Sequence, residues 1–187
     1  MRTAIEDRMS SKILAFINFK GGAGNRSEYW SDAGRAACRK LLVADLDPQS
    51  NTSLWLMRPD RWRDHTIHGK RSTSQIFEDA LCGKIRFSLD EAPVKEVVTW
   101  TGFTDLPRLH LLPASIELLR VEHRIHSLPP NEIYQILDGA LNPEFKDYDY
   151  VLPDCPPNLY RTTKNAIFAA ASCVVPYVPD YLTTLFV

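Results

Sequence analysis

The sequence predicts an α/β fold, a doubly wound and mostly parallel sheet with helices on both faces. Three observations carry that expectation. Short, largely apolar strand candidates recur at 13–17, 41–44, 109–112, 149–152 and 173–178, the first two continuous enough to read as strands buried on both faces. Segments with helical apolar spacing separate them, and such alternation implies parallel pairing through crossovers. The runs at 13–17, 41–44 and 149–152 each lead into a polar motif, and open α/β sheets gather ligand sites at those strand ends.

Residues 1–11 read as a loose tail, and 12–187 as one domain. The first strand, Ile13-Leu14-Ala15-Phe16-Ile17, runs into Lys20-Gly21-Gly22-Ala23-Gly24. Glycines there let a loop turn tightly with its N–H groups inward, able to cradle phosphate oxygens. A helix beginning near Ser27 adds its positive end to the same anion site. Tyr29, Trp30, Ala33, Ala36 and Ala37 give that helix one apolar face, and Gly34 weakens it by roughly 1 kcal/mol relative to Ala. The second strand ends at Asp45-Leu46-Asp47-Pro48-Gln49, where Pro48 stops it for want of an N–H.

Residues 58–72 are the most polar stretch, expected as a solvated loop. Its 58–71 part holds five Lys/Arg against two Asp with Trp62 interleaved, so contact with a phosphate backbone is the alternative. A short helix follows at 75–81, closed by Gly83. Residues 84–108 read as an irregular excursion with one short strand at 97–100. The strand at 109–112 precedes a helix at 114–125, with Ile116, Leu118, Leu119 and Val121 as its apolar positions. Pro129-Pro130 separates it from a helix at 132–141. The fourth strand, 149–152, ends in Pro153-Asp154-Cys155-Pro156-Pro157, with Pro153 making that end irregular. A helix at about 162–171 and the fifth strand complete the pattern. The apolar stretch 181–187 reads as the start of another helix, so the domain is expected to be truncated at its C-terminus or completed by another chain.

Composition narrows the class. The 187 residues are 44% apolar and 24% charged with net charge −1, which gives no global reason for nucleic acid or anionic membrane as partner. Cys38, Cys82, Cys155 and Cys173 are scattered without a CxxC pair, so neither a disulfide framework nor a zinc site is expected, and a reduced cytoplasm fits. The polar N-terminus is no signal peptide, and no apolar run is long enough to span a bilayer. His65/His68 and His123/His126 have i,i+3 spacing but lack an evident third ligand, so they read as exposed histidines. Cys155 reads as a small buried residue.

The glycine loop departs from the form G-x-x-x-x-G-K-[ST], which places its Lys on the β/γ-phosphates and its hydroxyl on Mg²⁺. Gly24 is followed by Asn25-Arg26-Ser27, so Arg26 and Ser27 stand one place late. At a helix N-terminus a slip of one residue swings a side chain by about 100°, and Arg is a planar fork rather than a point charge. Asp45 and Asp47 alternate onto one strand face, where both can reach one metal and its waters. Two solvated residues closing a strand are the plain alternative.

Three stretches in order, KGGAG, LLVADLDPQSN and VLPDCPP, resemble the ParA/MinD-type partition ATPases, P-loop NTPase-like and AAA ATPase-like proteins with a deviant Walker A loop. Weaker likeness continues through Leu112-Pro113-Ala114-Ser115 and Val178-Pro179-Asp180-Tyr181. The resemblance implies that Lys20 is the signature lysine reaching a partner's phosphates across a dimer, and that Gly21, Gly22, Ala23 and Gly24 form the nucleotide loop with Asn25, Arg26 and Ser27. It implies Asp47 as the carboxylate positioning attacking water. Asp45 supports Mg²⁺ through its water shell, and Asp154 lies on the metal side with Ser27. Asn25 and Arg26 depart from the family's Lys and Ser/Thr, so the Walker A loop is degenerate and hydrolysis is expected weak or lost.

Three readings follow from the resemblance. The first is a cytoplasmic ATP-binding protein of plasmid partition or chromosome segregation, a Mg²⁺-dependent ATP hydrolase if active, with weak ATP/ADP and Mg²⁺ binding. The second is a non-catalytic pseudo-ATPase that binds a partition-type partner, and the third a decayed, truncated copy. The implied partners are a second copy in a homodimer and a DNA-bound adaptor protein, with non-specific DNA left open and no membrane.

Overall fold

The computed structural model describes residues 13–17, 40–95, 97, 108–129, 131–141 and 148–176. Five strands form one sheet: β1 (Leu14–Ile17), β2 (Leu41–Asp45), β3 (Leu109–Leu112), β4 (Tyr150–Cys155) and β5 (Ser172–Val174). Their order across the sheet is β3-β2-β4-β1-β5, and every named neighbour pair is parallel. Val94 adds one antiparallel bridge to Leu111 on the outer side of β3.

The alternation of side chains along each strand sorts the apolar residues into two clusters. Leu42, Ala44, Leu112, Val151, Ile13 and Ala15 pack with Ile76, Phe77, Leu118, Val121, Leu137 and Ala166. Those partners come from α3 (Thr73–Cys82), α4 (Glu117–Arg124), α5 (Ile136–Leu141) and α6 (Arg161–Ala169). Leu41, Val43, Leu109, Leu111 and Leu152 form the other cluster, with Leu56, Met57 and Val97. Here α1 (Asn51–Leu56) is among the covering elements. A sheet buried on both faces explains why β2 and β3 are buried along their whole length and read as largely apolar runs.

Several boundaries differ from the sequence expectation. The polar stretch at 58–72 is solvated, as expected, but not a loop throughout: α2 (Pro59–Arg63) runs into a π-helical turn at Asp64–His68. Pro59 begins it, where a missing N–H costs nothing. Its inner face is held by polar bonds that hydrophobic periodicity does not register. Trp62 Nε1 donates to Ala114 O at 2.9 Å, and His65 Nε2 lies 2.7 Å from Ala92 O.

The fourth strand does not end at 152 but continues through Pro153 to Cys155. Pro153 lies opposite Ala44, and the ladder resumes beyond it, with Leu46 N donating to Asp154 O at 2.9 Å. The helix expected at 114–125 starts only at Glu117. Residues 113 and 114 are bound elsewhere: Pro113 O accepts from Thr73 N, and Ala114 N donates to Ser53 Oγ. Ile116 and Leu119 are exposed, so Leu118 and Val121 alone of the four expected positions enter the core. The helix expected at 132–141 starts at Ile136. Asn165 of α6 caps it, its Oδ1 accepting from Ile136 N at 3.0 Å and Leu137 N at 3.2 Å. The helix expected at about 162–171 spans Arg161–Ala169, and the third helix, expected at 75–81, spans Thr73–Cys82. The fifth strand is Ser172–Val174.

Gly83 closes α3 in the left-handed conformation, φ +60°, which glycine adopts without steric cost. The tail at 1–11, the helix after the glycine loop, residues 98–100 of the expected short strand and the stretch at 181–187 lie outside the described residues.

Candidate functional site

The C-terminal ends of β1, β4 and β2 lie side by side. Phe16 pairs with Asp154, Ile17 with Cys155, and Asp45 with Asp154. The strand that feeds the glycine loop therefore stands next to the strand that carries Asp154. Lys20, Gly21, Gly22, Ala23, Gly24, Asn25, Arg26 and Ser27 themselves lie outside the described residues.

Asp45 is wholly buried, and its carboxylate is fully engaged. Oδ1 accepts from Asp47 N at 3.0 Å, and Oδ2 accepts from Ser53 N at 2.9 Å and Ser53 Oγ at 2.6 Å. Burial, and after it the charge of Asp154, pushes the Asp45 carboxyl up to about 7; its hydrogen bonds pull the other way without prevailing. Asp154 is also buried, and its Oδ2 accepts from Thr52 Oγ1 at 2.5 Å. Asp47 has a different setting. Its Oδ1 accepts from Gln49 N at 3.0 Å, an Asx turn just past the strand, and its backbone N is what ties it to Asp45.

Thr52, Ser53 and Ser50 are the site neighbours that sequence reading missed. Thr52 and Ser53 sit in the first turn of α1, and Ser53 Oγ also accepts from Ala114 N at 2.9 Å. Ser50 precedes that helix with φ 55°, buried, and its Oγ has no hydrogen-bond partner. The available signal was the run Ser50-Asn51-Thr52-Ser53 after Pro48, hydroxyl and amide side chains of the kind that start helices.

Asp45 and Asp154, two buried carboxylates at paired register positions, offer hard oxygen donors at the strand ends. Such a set suits Mg²⁺, which takes one or two carboxylates and leaves its other positions to water and phosphate. A cation there would also offset the repulsion between Asp45 and Asp154. Among the described residues no group of three or more His, Cys, Asp or Glu could hold a metal by itself. His65 is half-buried, while His68, His123 and His126 are exposed. Cys155 is buried, with Sγ 4.0 Å from Pro153 O.

A family model described as "AAA domain" matches residues 11–185. The chain belongs to that family. Its relatives and structural neighbours make it a ParA/MinD-type P-loop ATPase relative. It is 30% identical over 172 residues to the chromosome partitioning protein ParA of Myxococcus xanthus, covering 91% of this chain and 53% of that protein. It is 29% identical over 175 residues to the sporulation initiation inhibitor protein Soj of Bacillus subtilis, covering 91% of this chain and 59% of that protein. Cobyrinic acid a,c-diamide synthase of Mycobacterium smegmatis, solved with a bound ATP analog and magnesium, superposes with TM-score 0.65 at 29% identity. That match covers 89% of this chain and 58% of the synthase. The chain thus spans about half the length of the curated relatives it matches. Among the described residues, no helix of this ParA-type chain is long and apolar enough to cross a membrane.

Proposed function

We propose that this chain binds ATP or ADP with Mg²⁺, weakly, as a cytoplasmic partition-type protein, with hydrolysis weak or lost. The observation that carries this reading is the adjacency of Asp45 and Asp154 at the ends of β2 and β4, beside the strand that leads into Lys20-Gly21-Gly22-Ala23-Gly24. Loop N–H groups from Gly21 to Gly24 hold phosphate oxygens. Asp154, backed by Asp45, holds the metal side. When bound, Mg²⁺ offsets phosphate charge and orients the terminal phosphate. Asp47, just past the end of β2 and only 8% exposed, orients water for in-line attack. Lys20 matches the family's signature lysine and by that likeness serves the phosphates of a second copy.

Asn25 and Arg26 stand where the phosphate-loop lysine and the metal-binding hydroxyl belong. For that reason binding outlives catalysis, and the chain acts chiefly through nucleotide-dependent contact with a second copy and with a DNA-bound adaptor. Chromosome or plasmid segregation is the process this serves. Titration with a fluorescent ATP analogue, with Mg²⁺ and with EDTA, tests the reading. Saturable binding that tightens with Mg²⁺ is expected. Absence of saturable binding in either condition would overturn it.

A further inference from the structure

Thr52 and Ser53, consecutive residues in the first turn of α1, hold carboxylates that belong to two different strands. Consecutive helical residues point about 100° apart, and neighbouring strands lie about 4.8 Å apart. The divergence lets one turn reach both. Ser53 takes Asp45 of β2 and, through Ala114 N, also ties in the segment after β3. Asp45 is enclosed by this set of bonds, so Ser53 is a structural latch. Thr52 differs. Its hydroxyl donates to Asp154 Oδ2 at 2.5 Å, a short hydrogen bond to the carboxylate of a different strand. Thr52 is 9% exposed and Asp154 1%.

We propose that Thr52 is a positioning residue that orients the Asp154 carboxylate, through its Oδ2, toward the metal side of the nucleotide site. The inference rests on the reading of that site as one for Mg²⁺ with nucleotide. A hydroxyl that holds one carboxylate oxygen fixes the rotation of the whole group and hence where the other oxygen lies. Partners of this outer kind typically change metal affinity by about 10–100-fold when removed. The same turn adds no charge, so the effect falls on the metal rather than on the phosphates. The spacing also matters: the motif DLDPQSNTS places Thr52 seven residues after Asp45, on the helix that the Asp47 turn starts.

The test uses the full chain, ADP and Mn²⁺, with Mn²⁺ binding read by electron paramagnetic resonance and ADP affinity read separately in EDTA. Thr52→Val keeps the shape and removes the hydroxyl; Thr52→Ser restores it. The expected result is roughly 10–100-fold weaker Mn²⁺ binding in Thr52→Val, near-wild-type binding in Thr52→Ser, and unchanged ADP affinity in EDTA for both. Thr52→Ala serves the same comparison should the valine form fail to fold. Wild-type Mn²⁺ affinity in a folded Thr52→Val or Thr52→Ala protein overturns the proposal. So does a parallel loss of Mn²⁺ and metal-free ADP binding in both substitutions, which marks a purely structural role. A wild-type chain that binds ADP equally with Mn²⁺ and EDTA, or not at all, overturns the metal–nucleotide reading itself and this proposal with it.

Discussion

Asp45 and Asp154 face each other across the β2–β4 register, both buried, with the Asp45 carboxyl pushed up to about 7 by burial and by its neighbour's charge. In the unfolded chain that carboxyl loses its proton near 3.8. Between the two values the native state binds more protons, so stability falls as pH rises from about 4 to about 7 and levels off above. Asp45→Asn removes this slope. Its melting temperature relative to wild type is expected to improve from pH 5 to pH 7.5, whatever its absolute value. A difference that stays constant across that range would show that Asp45 is not the source.

His110 has the opposite sign. Burial first, then the charges of Lys40 and Lys95, hold its imidazole down to about 4 from 6.5, while its Nδ1 lies 2.9 Å from the Tyr148 hydroxyl. The stability it allows is present above pH 6.5 and lost as pH falls toward 4, because the unfolded chain takes up the proton first. His110→Phe keeps an aromatic edge against Tyr148 and cannot titrate. Its melting temperature relative to wild type should therefore rise between pH 7.5 and pH 5, and a flat comparison counts against this account.

Ser50 combines two costs, a left-handed backbone at φ 55° and a buried hydroxyl without a partner. A non-glycine residue in that region costs roughly 1–2 kcal/mol. Ser50→Gly removes both costs, against greater freedom of the unfolded chain. A net gain of about 1 kcal/mol is expected, or roughly 2–4 °C in Tm for a chain of this size. Denaturant unfolding with an unchanged m-value checks it, and a loss of stability would contradict the strain argument.

Asn165 satisfies all its hydrogen-bonding atoms in the core between α5 and α6. Oδ1 accepts from Ile136 N and Leu137 N, while Nδ2 donates to Ile133 O at 2.7 Å and Arg161 O at 2.9 Å. Asn165→Ala strands several buried backbone groups at once, each worth about 1–3 kcal/mol unpartnered. A loss near 3 kcal/mol is expected on urea unfolding, since partial relaxation recovers some bonds. A loss under about 1 kcal/mol would mean that water or a shifted backbone replaces the cap.

Phosphate release tests the altered loop. One preorganised electrostatic donor is worth about 2.7–4 kcal/mol, roughly a hundred- to a thousandfold in rate. The unmodified chain should hydrolyse ATP near background, and the Asn25→Lys, Arg26→Thr protein should recover part of that factor. The two changes act on one phosphate–metal cluster, so their effects will not add. Robust turnover by the unmodified chain, abolished by Asp47→Ala, would show that Arg26 and Ser27 substitute for the missing pair.

The five strands and their parallel character were legible because their signal is local: Leu41-Leu42-Val43-Ala44 and Leu109-His110-Leu111-Leu112 must bury both faces wherever they pair. Helix starts were less legible. Ala114, Ser115 and Glu132 carry acceptable helical patterns, but Ser53 and Trp62 claim the backbone of Ala114. Asn165 sets the start of α5 from 28 or more residues away. The same holds for α2 and the π-helical turn after it, fastened by Trp62 and His65 to carbonyls distant in the chain.

By itself the sequence determined the strands, the order of the three motifs and the choice of Asp45, Asp47 and Asp154 as chemically notable, because near-continuous apolar runs and strand-end polarity are properties of neighbours in the chain. Only the tertiary structure decided that Asp45 and Asp154 share a register position, that Asp47 lies just past β2 with its Oδ1 accepting from Gln49 N, and that Thr52 and Ser53 hold the two buried carboxylates. Those relations join residues far apart in the chain, 102 positions for Thr52 and Asp154. They follow from which strands lie side by side, a choice made by packing two apolar faces at once and therefore invisible to any single stretch of residues.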